Sequence, residues 1–122
     1  MIGYVTLGSN DLEKSKAFYD ALTAELGGQR TFASDRMQGY GSKAGAMLAV
    51  CTPHDGKPAT AGNGTMFSFA APSREMVDKV YAKAISLGAK DEGAPGARSE
   101  TFYGAYFRDP DGNKLCVFKS GS

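Results

Sequence analysis

Residues 102–115 read Phe102-Tyr103-Gly104-Ala105-Tyr106-Phe107-Arg108-Asp109-Pro110-Asp111-Gly112-Asn113-Lys114-Leu115. The stretch is a hairpin written in sequence. Asp109 suits the first position of a type I turn, Pro110 presets φ for the second, and Gly112 accepts a positive φ. Asp-Pro-Asp-Gly alone is a common turn. Here an aromatic strand over 101–108 runs into it and a second strand over 114–119 runs out, which is a far more specific context.

Upstream of the hairpin, Thr65-Met66-Phe67-Ser68-Phe69-Ala70 reads as another strand. Pro72 breaks it and Ser73 can cap a helix. Val77, Val80, Tyr81 and Ala84 form the apolar stripe of that helix, Gly88 stops it, and a strand follows near 89–92. The first half has the same order. Ile2–Leu7 is a β-rich run, and Asn10 followed by Glu13 has the spacing of a capping box. Phe18, Ala21, Leu22 and Leu26 recur at helical spacing, Gly27-Gly28 ends the helix, and strands are expected near 30–34, 37–41 and 46–52. Tyr19 falls on Tyr81 and Glu13 on Glu75 at an offset of 62, and Leu26 on Leu87 at 61. The expected fold class is α+β, with two βαβββ modules in one domain over 1–122. The modules cover about 1–53 and 64–122, with a Gly/Pro-rich joint over 53–64, and their curved mixed sheets are expected to enclose one cavity.

Composition narrows the function. A length of 122 residues is one domain with room for a core. Fourteen Lys plus Arg against thirteen Asp plus Glu leave +1, with no basic stripe, which argues against a nucleic-acid partner. No apolar run approaches the ~20 residues of a membrane span, and Met1 opens into a strand-like run rather than a signal peptide. Sixteen glycines are about twice the usual ~7% and exclude a helical bundle. Two cysteines and one histidine, without CxxC spacing, do not support a zinc site of the Cys/His kind, and the cytoplasm is the simplest compartment.

Strand alternation sorts the side chains. Val5 and Leu7 oppose Tyr4 and Thr6, and Phe67 and Phe69 oppose Met66 and Ser68. The apolar faces are expected against the helices and the mixed faces in the cavity. Met47, Ala49 and Cys51 share one face, as do Lys114, Cys116 and Phe118. Tyr103 and Tyr106 have opposite parity, so only one of them faces the cavity. Glu92–Arg98 reads as a flexible loop that can lid the cavity and bring Arg98 to an anionic group, although an ordinary surface charge reads equally well. His54, the one imidazole available as a general base, sits in the joint.

The hairpin motif, together with Val5-Thr6-Leu7 and Asp11-Leu12-Glu13-Lys14-Ser15-Lys16-Ala17-Phe18-Tyr19, resembles the vicinal oxygen chelate superfamily over nearly the whole chain. That superfamily comprises glyoxalases, bleomycin-resistance proteins, fosfomycin-resistance thiol transferases and extradiol dioxygenases. The resemblance implies homodimers, swapped or unswapped. For metal-dependent members it implies four ligands, usually His or Glu, one on each first and last strand of the modules. Those positions are Tyr4, Ala49, Met66 and Cys116 here. Alanine has no donor, and thioether and thiol suit soft metals, so no metal or other cofactor is expected.

The expected function is a metal-free small-molecule binding protein, with Tyr4, Ala49, Cys51, Met66, Arg98, Tyr103 and Cys116 around the ligand. The ligand is expected to be a neutral or mildly anionic, partly aromatic metabolite, since the mixed faces carry no Asp or Glu to attract a polycation. The alternative is a lyase or thiol transferase with an altered metal or a cysteine-based centre, for which Cys116 and Tyr4 are the catalytic candidates. Lys114, about 7 Å along the strand from Cys116, is the nearest cation on that face. A third reading is an interaction module whose cavity is filled by side chains.

Overall fold

A short polar side chain starts each helix. Asp11, in extended backbone, accepts a hydrogen bond from the Lys14 N–H at 3.2 Å and opens α1 (Leu12–Ala24). Ser73 does the same for the Met76 N–H at 3.1 Å and opens α2 (Arg74–Ser86). The cap of α1 is therefore Asp11 and not Asn10, whose side chain instead pairs with the backbone of Ala59. A side chain already bonded to a distant backbone is not free to cap. Gly27 and Gly88, both at positive φ, follow the two helices.

The computed structural model describes residues 1–121. The strands are β1 (Tyr4–Gly8), β2 (Gln29–Ser34), β3 (Met37–Gly41), β4 (Met47–Cys51), β5 (Met66–Ala70), β6 (Lys90–Ser99), β7 (Phe102–Arg108) and β8 (Lys114–Ser120). They form two four-stranded mixed sheets, ordered β1-β4-β3-β2 and β5-β8-β7-β6. Each sheet has one parallel pair, β1 with β4 and β5 with β8. The two modules thus have one topology, βαβββ, and no barrel is closed.

Leu7, Leu48 and Val50 from the first sheet and Ala105, Phe107, Leu115 and Val117 from the second pack with Phe18, Leu22, Val77 and Val80 of the helices in one core. The helices touch each other, whereas no strand of one sheet approaches a strand of the other among the described residues. A turn closes between Asp109 and Gly112, with the Gly112 N–H donating to the Asp109 carbonyl at 3.0 Å and Gly112 at φ +88°. It also ties the modules together. Tyr19 of α1 donates to Asp109 Oδ2 at 2.6 Å, Ser15 to Asp111 Oδ2 at 2.8 Å, and Asn113 to the Gly8 carbonyl at 3.0 Å.

The segment 92–98 differs from the sequence expectation. It is not a loop but part of a ten-residue edge strand, β6, whose register against β7 shifts three times, before Gly93, before Gly96 and between Ala97 and Ser99. Pro95 and two glycines look like a loop in sequence. On a bulged edge strand, a missing N–H and an unusual φ are both tolerated. Among the described residues, no helix is long and apolar enough to cross a membrane.

Candidate functional site

Each sheet has one face on the helices and one open face. In the first module the open face is built from Tyr4, Thr6, Met47, Ala49, Cys51, Met37 and Gly39, paired in register as Tyr4↔Met47, Thr6↔Ala49, Gly39↔Ala49 and Met37↔Cys51. Gly39 is required there. A Cβ on it would lie 2.7 Å from the Phe32 ring, because Phe32 of β2 lies back across the sheet. Phe32 meets Tyr4 edge to face, with centroids 5.4 Å apart. Ala49 is left with no exposed surface, while Tyr4 is 55% and Phe32 37% exposed. This face is apolar and carries no charge. At its far end Gly8, the register partner of Cys51, lies under Ala59 of the joint.

The equivalent face of the second module differs in chemistry. Register places Met66 beside Lys114, Ser68 beside Cys116, Tyr106 beside Cys116, and Arg108 beside Lys114. Phe102 and Phe118 stack at 5.3 Å with planes 7° apart. The Arg98 guanidinium lies 5.4 Å and the Lys114 ammonium 5.6 Å from the Tyr106 ring centroid. Cys116 is fully buried. Burial pushes its thiol up, offset in part by the Ser68 and Tyr106 hydroxyls and by the charges of Arg98 and Lys114. A thiol held this way is not a ready nucleophile.

Tyr4 and Ala49 therefore share one open face, and Met66 and Cys116 occupy the matching places on the other. Within one chain these two pairs do not meet. Met66 is 40% exposed, and the free edges β1 and β5 stand apart. Cys51 lies at the joint end of the first face, and His54 is exposed in the joint. Of the two tyrosines of β7, the one on the open face is Tyr106. Tyr103 lies on the helix side, where it donates to Asp78 at 2.7 Å and carries Arg74 over its ring. Tyr106 was named from sequence only as one of two tyrosines of which one faces the cavity, and Phe32 and Phe102 were not singled out there. Their signal was a glycine at the place over which a neighbouring ring lies, Gly39 for Phe32 and Gly104 for Phe102.

Two clefts of the single chain overlap the second face in part, one at Ser68 and the other at Glu92 and Arg108. One, of about 320 Å³, is bordered by Leu26, Tyr40, Leu48 and Phe69, and a shallower one of about 640 Å³ by Lys14, Lys90, Glu92 and Arg108. Neither contains Tyr4, Ala49, Met66 or Cys116. Among the described residues, no three His, Cys, Asp or Glu side chains are grouped as metal ligands.

The family model described as Glyoxalase/Bleomycin resistance protein/Dioxygenase superfamily matches residues 1–117. The chain is similar to a glyoxalase/bleomycin resistance protein from Albidiferax ferrireducens T118, with 43% identity, 99% of each chain covered and a TM-score of 0.91. Its fold is also that of a glyoxalase/bleomycin resistance protein/dioxygenase family enzyme from Burkholderia phytofirmans PsJN, at 22% identity over 98% of each chain and a TM-score of 0.81. A lactoylglutathione lyase from Agrobacterium tumefaciens shares the fold at 22% identity, with 98% of this chain and 92% of that chain covered and a TM-score of 0.73. No curated protein matches the chain in sequence. The repeated module, its Asp109–Asn113 turn and a family match over nearly the full length have one reading: the chain belongs to the glyoxalase/bleomycin resistance protein/dioxygenase superfamily.

Proposed function

We propose that this protein binds a small organic molecule and does so without a metal centre. The observation that carries the reading is the donor set at the four positions where metal-dependent relatives of this fold hold their ligands. Tyr4 is a half-exposed phenol, Ala49 has no donor, Met66 is a thioether, and Cys116 is a thiol that burial keeps protonated. These groups do not fit a hard divalent ion, which needs carboxylate or imidazole donors. The buried Cys116 also supports a binder over a lyase or thiol transferase with a cysteine-based centre. Two free, buried cysteines agree with a reducing, cytoplasmic compartment.

The pocket is completed in a homodimer, the first module of one copy facing the second module of the other. The support is the free β1 and β5 edges and the exposure of Tyr4, Phe32 and Met66 along the faces that would close on each other.

Elemental analysis of untagged protein tests the metal-free reading, with thermal shifts in Ni, Zn, Mn, Fe and Cu. A specific site at 100-fold excess over its Kd adds about 2.7 kcal/mol of stability. The expected result is far less than one metal per chain and no shift. Near-stoichiometric metal would overturn the reading.

A further inference from the structure

We infer that the molecule this pocket takes is an amphipathic carboxylate, its anionic group held by Arg98 and Lys114 and its apolar body lying on the Tyr4–Phe32 face of the partner copy. The inference rests on the composite pocket proposed above and names its ligand class.

The two open faces are chemically opposite. The first module offers Tyr4, Phe32, Met47 and Met37 with no charge. The second offers three cations, Arg98, Arg108 and Lys114, against one carboxylate, Glu92. Glu92 is taken up by Arg108 at 2.6 Å. Arg98 forms no ion pair among the described residues, and Lys114 forms none within 4 Å although its charge acts on the Glu92 carboxyl, so three cations against one carboxylate leave the face at +2.

Arg98 is also prepositioned. The bulged backbone of β6 folds back on its own side chain. Arg98 Nη1 donates to the Gly96 carbonyl at 2.9 Å and Nη2 to the Ala94 carbonyl at 2.8 Å. A Cβ on Gly96 would come within 2.9 Å of Nη1, and one on Gly93 within 3.2 Å of Nη2. The two glycines thus make the room in which the guanidinium lies against Tyr106. Two of its five N–H donors are used, which leaves three for a planar anion. A guanidinium fixed before binding loses little entropy on meeting a carboxylate. Lys114, over the same ring, adds a second charge. A neutral ligand would leave Arg98 facing an apolar wall with no counterion, and Lys114 with only a share of Glu92, an arrangement that costs free energy once water is excluded.

The test compares three probes by calorimetry and amide-shift NMR on the full-length protein: 3-phenylpropionate, 3-phenylpropanol and propionate. The carboxylate with the ring is expected to bind at least tenfold tighter than either the alcohol or propionate, and to weaken as salt rises. Arg98→Gln is expected to remove that tenfold advantage without changing alcohol binding, Arg98→Lys to restore part of it, and Lys57→Gln, in the exposed joint, to change nothing. Phe32→Ala is expected to weaken acid and alcohol alike. Equal binding of acid and alcohol, or an Arg98→Gln variant that binds the acid as wild type does, overturns the carboxylate inference and leaves the pocket standing. Binding of neither probe also overturns it, and the oligomeric state then reports separately on the composite pocket.

Discussion

Tyr19 shows how one hydroxyl can join two modules. Its side chain is fully buried, and its oxygen donates to Asp109 Oδ2, a carboxylate only 5% exposed. Asp109 forms no ion pair among the described residues. Its other acceptor sites are filled by the N–H groups of Asp111 and Asn113 and by the Asn113 amide. Burial and the facing carboxylate push the Tyr19 hydroxyl well above its ordinary range, so it stays a donor at neutral pH. Tyr19→Phe should therefore cost about 1.5–3 kcal/mol, the range for hydrogen bonds to charged groups. Tyr81→Phe, which loses an exposed bond to Asp91, should cost clearly less. Urea midpoints of the two variants compare them directly, and equal losses would remove Asp109 as the reason. Asp20 sets a pH dependence at the same scale. Hydrogen bonds from Arg30, then one from Tyr40, hold its carboxyl below the usual value. A depressed carboxyl stabilises the fold above its unfolded value of about 3.9, and that contribution is lost as pH falls through the folded value. Both partners are near half exposed, so the effect is screened. Asp20→Asn should melt roughly 2 °C below wild type at pH 6, with the gap closing below pH 4.

At the scale of elements, the helix starts follow from single residues. Asp11→Ala should cost about 1 kcal/mol, the usual value of an N-cap, while Asp11→Asn keeps an acceptor and should be near neutral. Thermal melts at one protein concentration separate the two, and a neutral Asp11→Ala would mean that another group caps α1. Asn10 and Asp11 are adjacent and both are good caps in sequence, so only the contact of Asn10 with Ala59 distinguishes them. The β6 strand makes the same point. Gly93, Pro95 and Gly96 signal a loop locally, yet β7 supplies partners that absorb the irregularity as bulges. The alternation in β1 and β5 was legible because period-two burial leaves a pattern in the residue types themselves. The choice between Tyr103 and Tyr106 was not, since either tyrosine can serve on either face.

For the whole molecule, one chain leaves open sheet faces and free edges at β1 and β5. If the copies pair as proposed, Tyr4 and Met66 stand on opposing walls of a shared pocket. Tyr4→Lys with Met66→Lys would bring like charges together next to Arg98 and Lys114. Sedimentation should then move from dimer to monomer, while circular dichroism stays that of the folded chain. Wild-type melting should rise with protein concentration, and the double variant should lose that dependence. A wild type that sediments as a monomer at all concentrations would leave the two faces as separate surfaces.

By itself the sequence determined the doubled βαβββ order, the helix stops, the hairpin at Asp109–Asn113 and the faces of the central strands. Each of these rests on interactions between residues close along the chain: a turn needing Gly112 at positive φ, a helix stripe at three and four, a strand alternating at two. Only the tertiary structure decided what covers Ala49, which tyrosine joins Cys116, and where Arg98 points. Those outcomes depend on rings and charges arriving from other strands, across Gly39 and over Tyr106, and no local pattern encodes them. It also decided that one chain leaves two separate open faces, because the core spends its apolar surface on joining the helices and leaves the sheet edges apart.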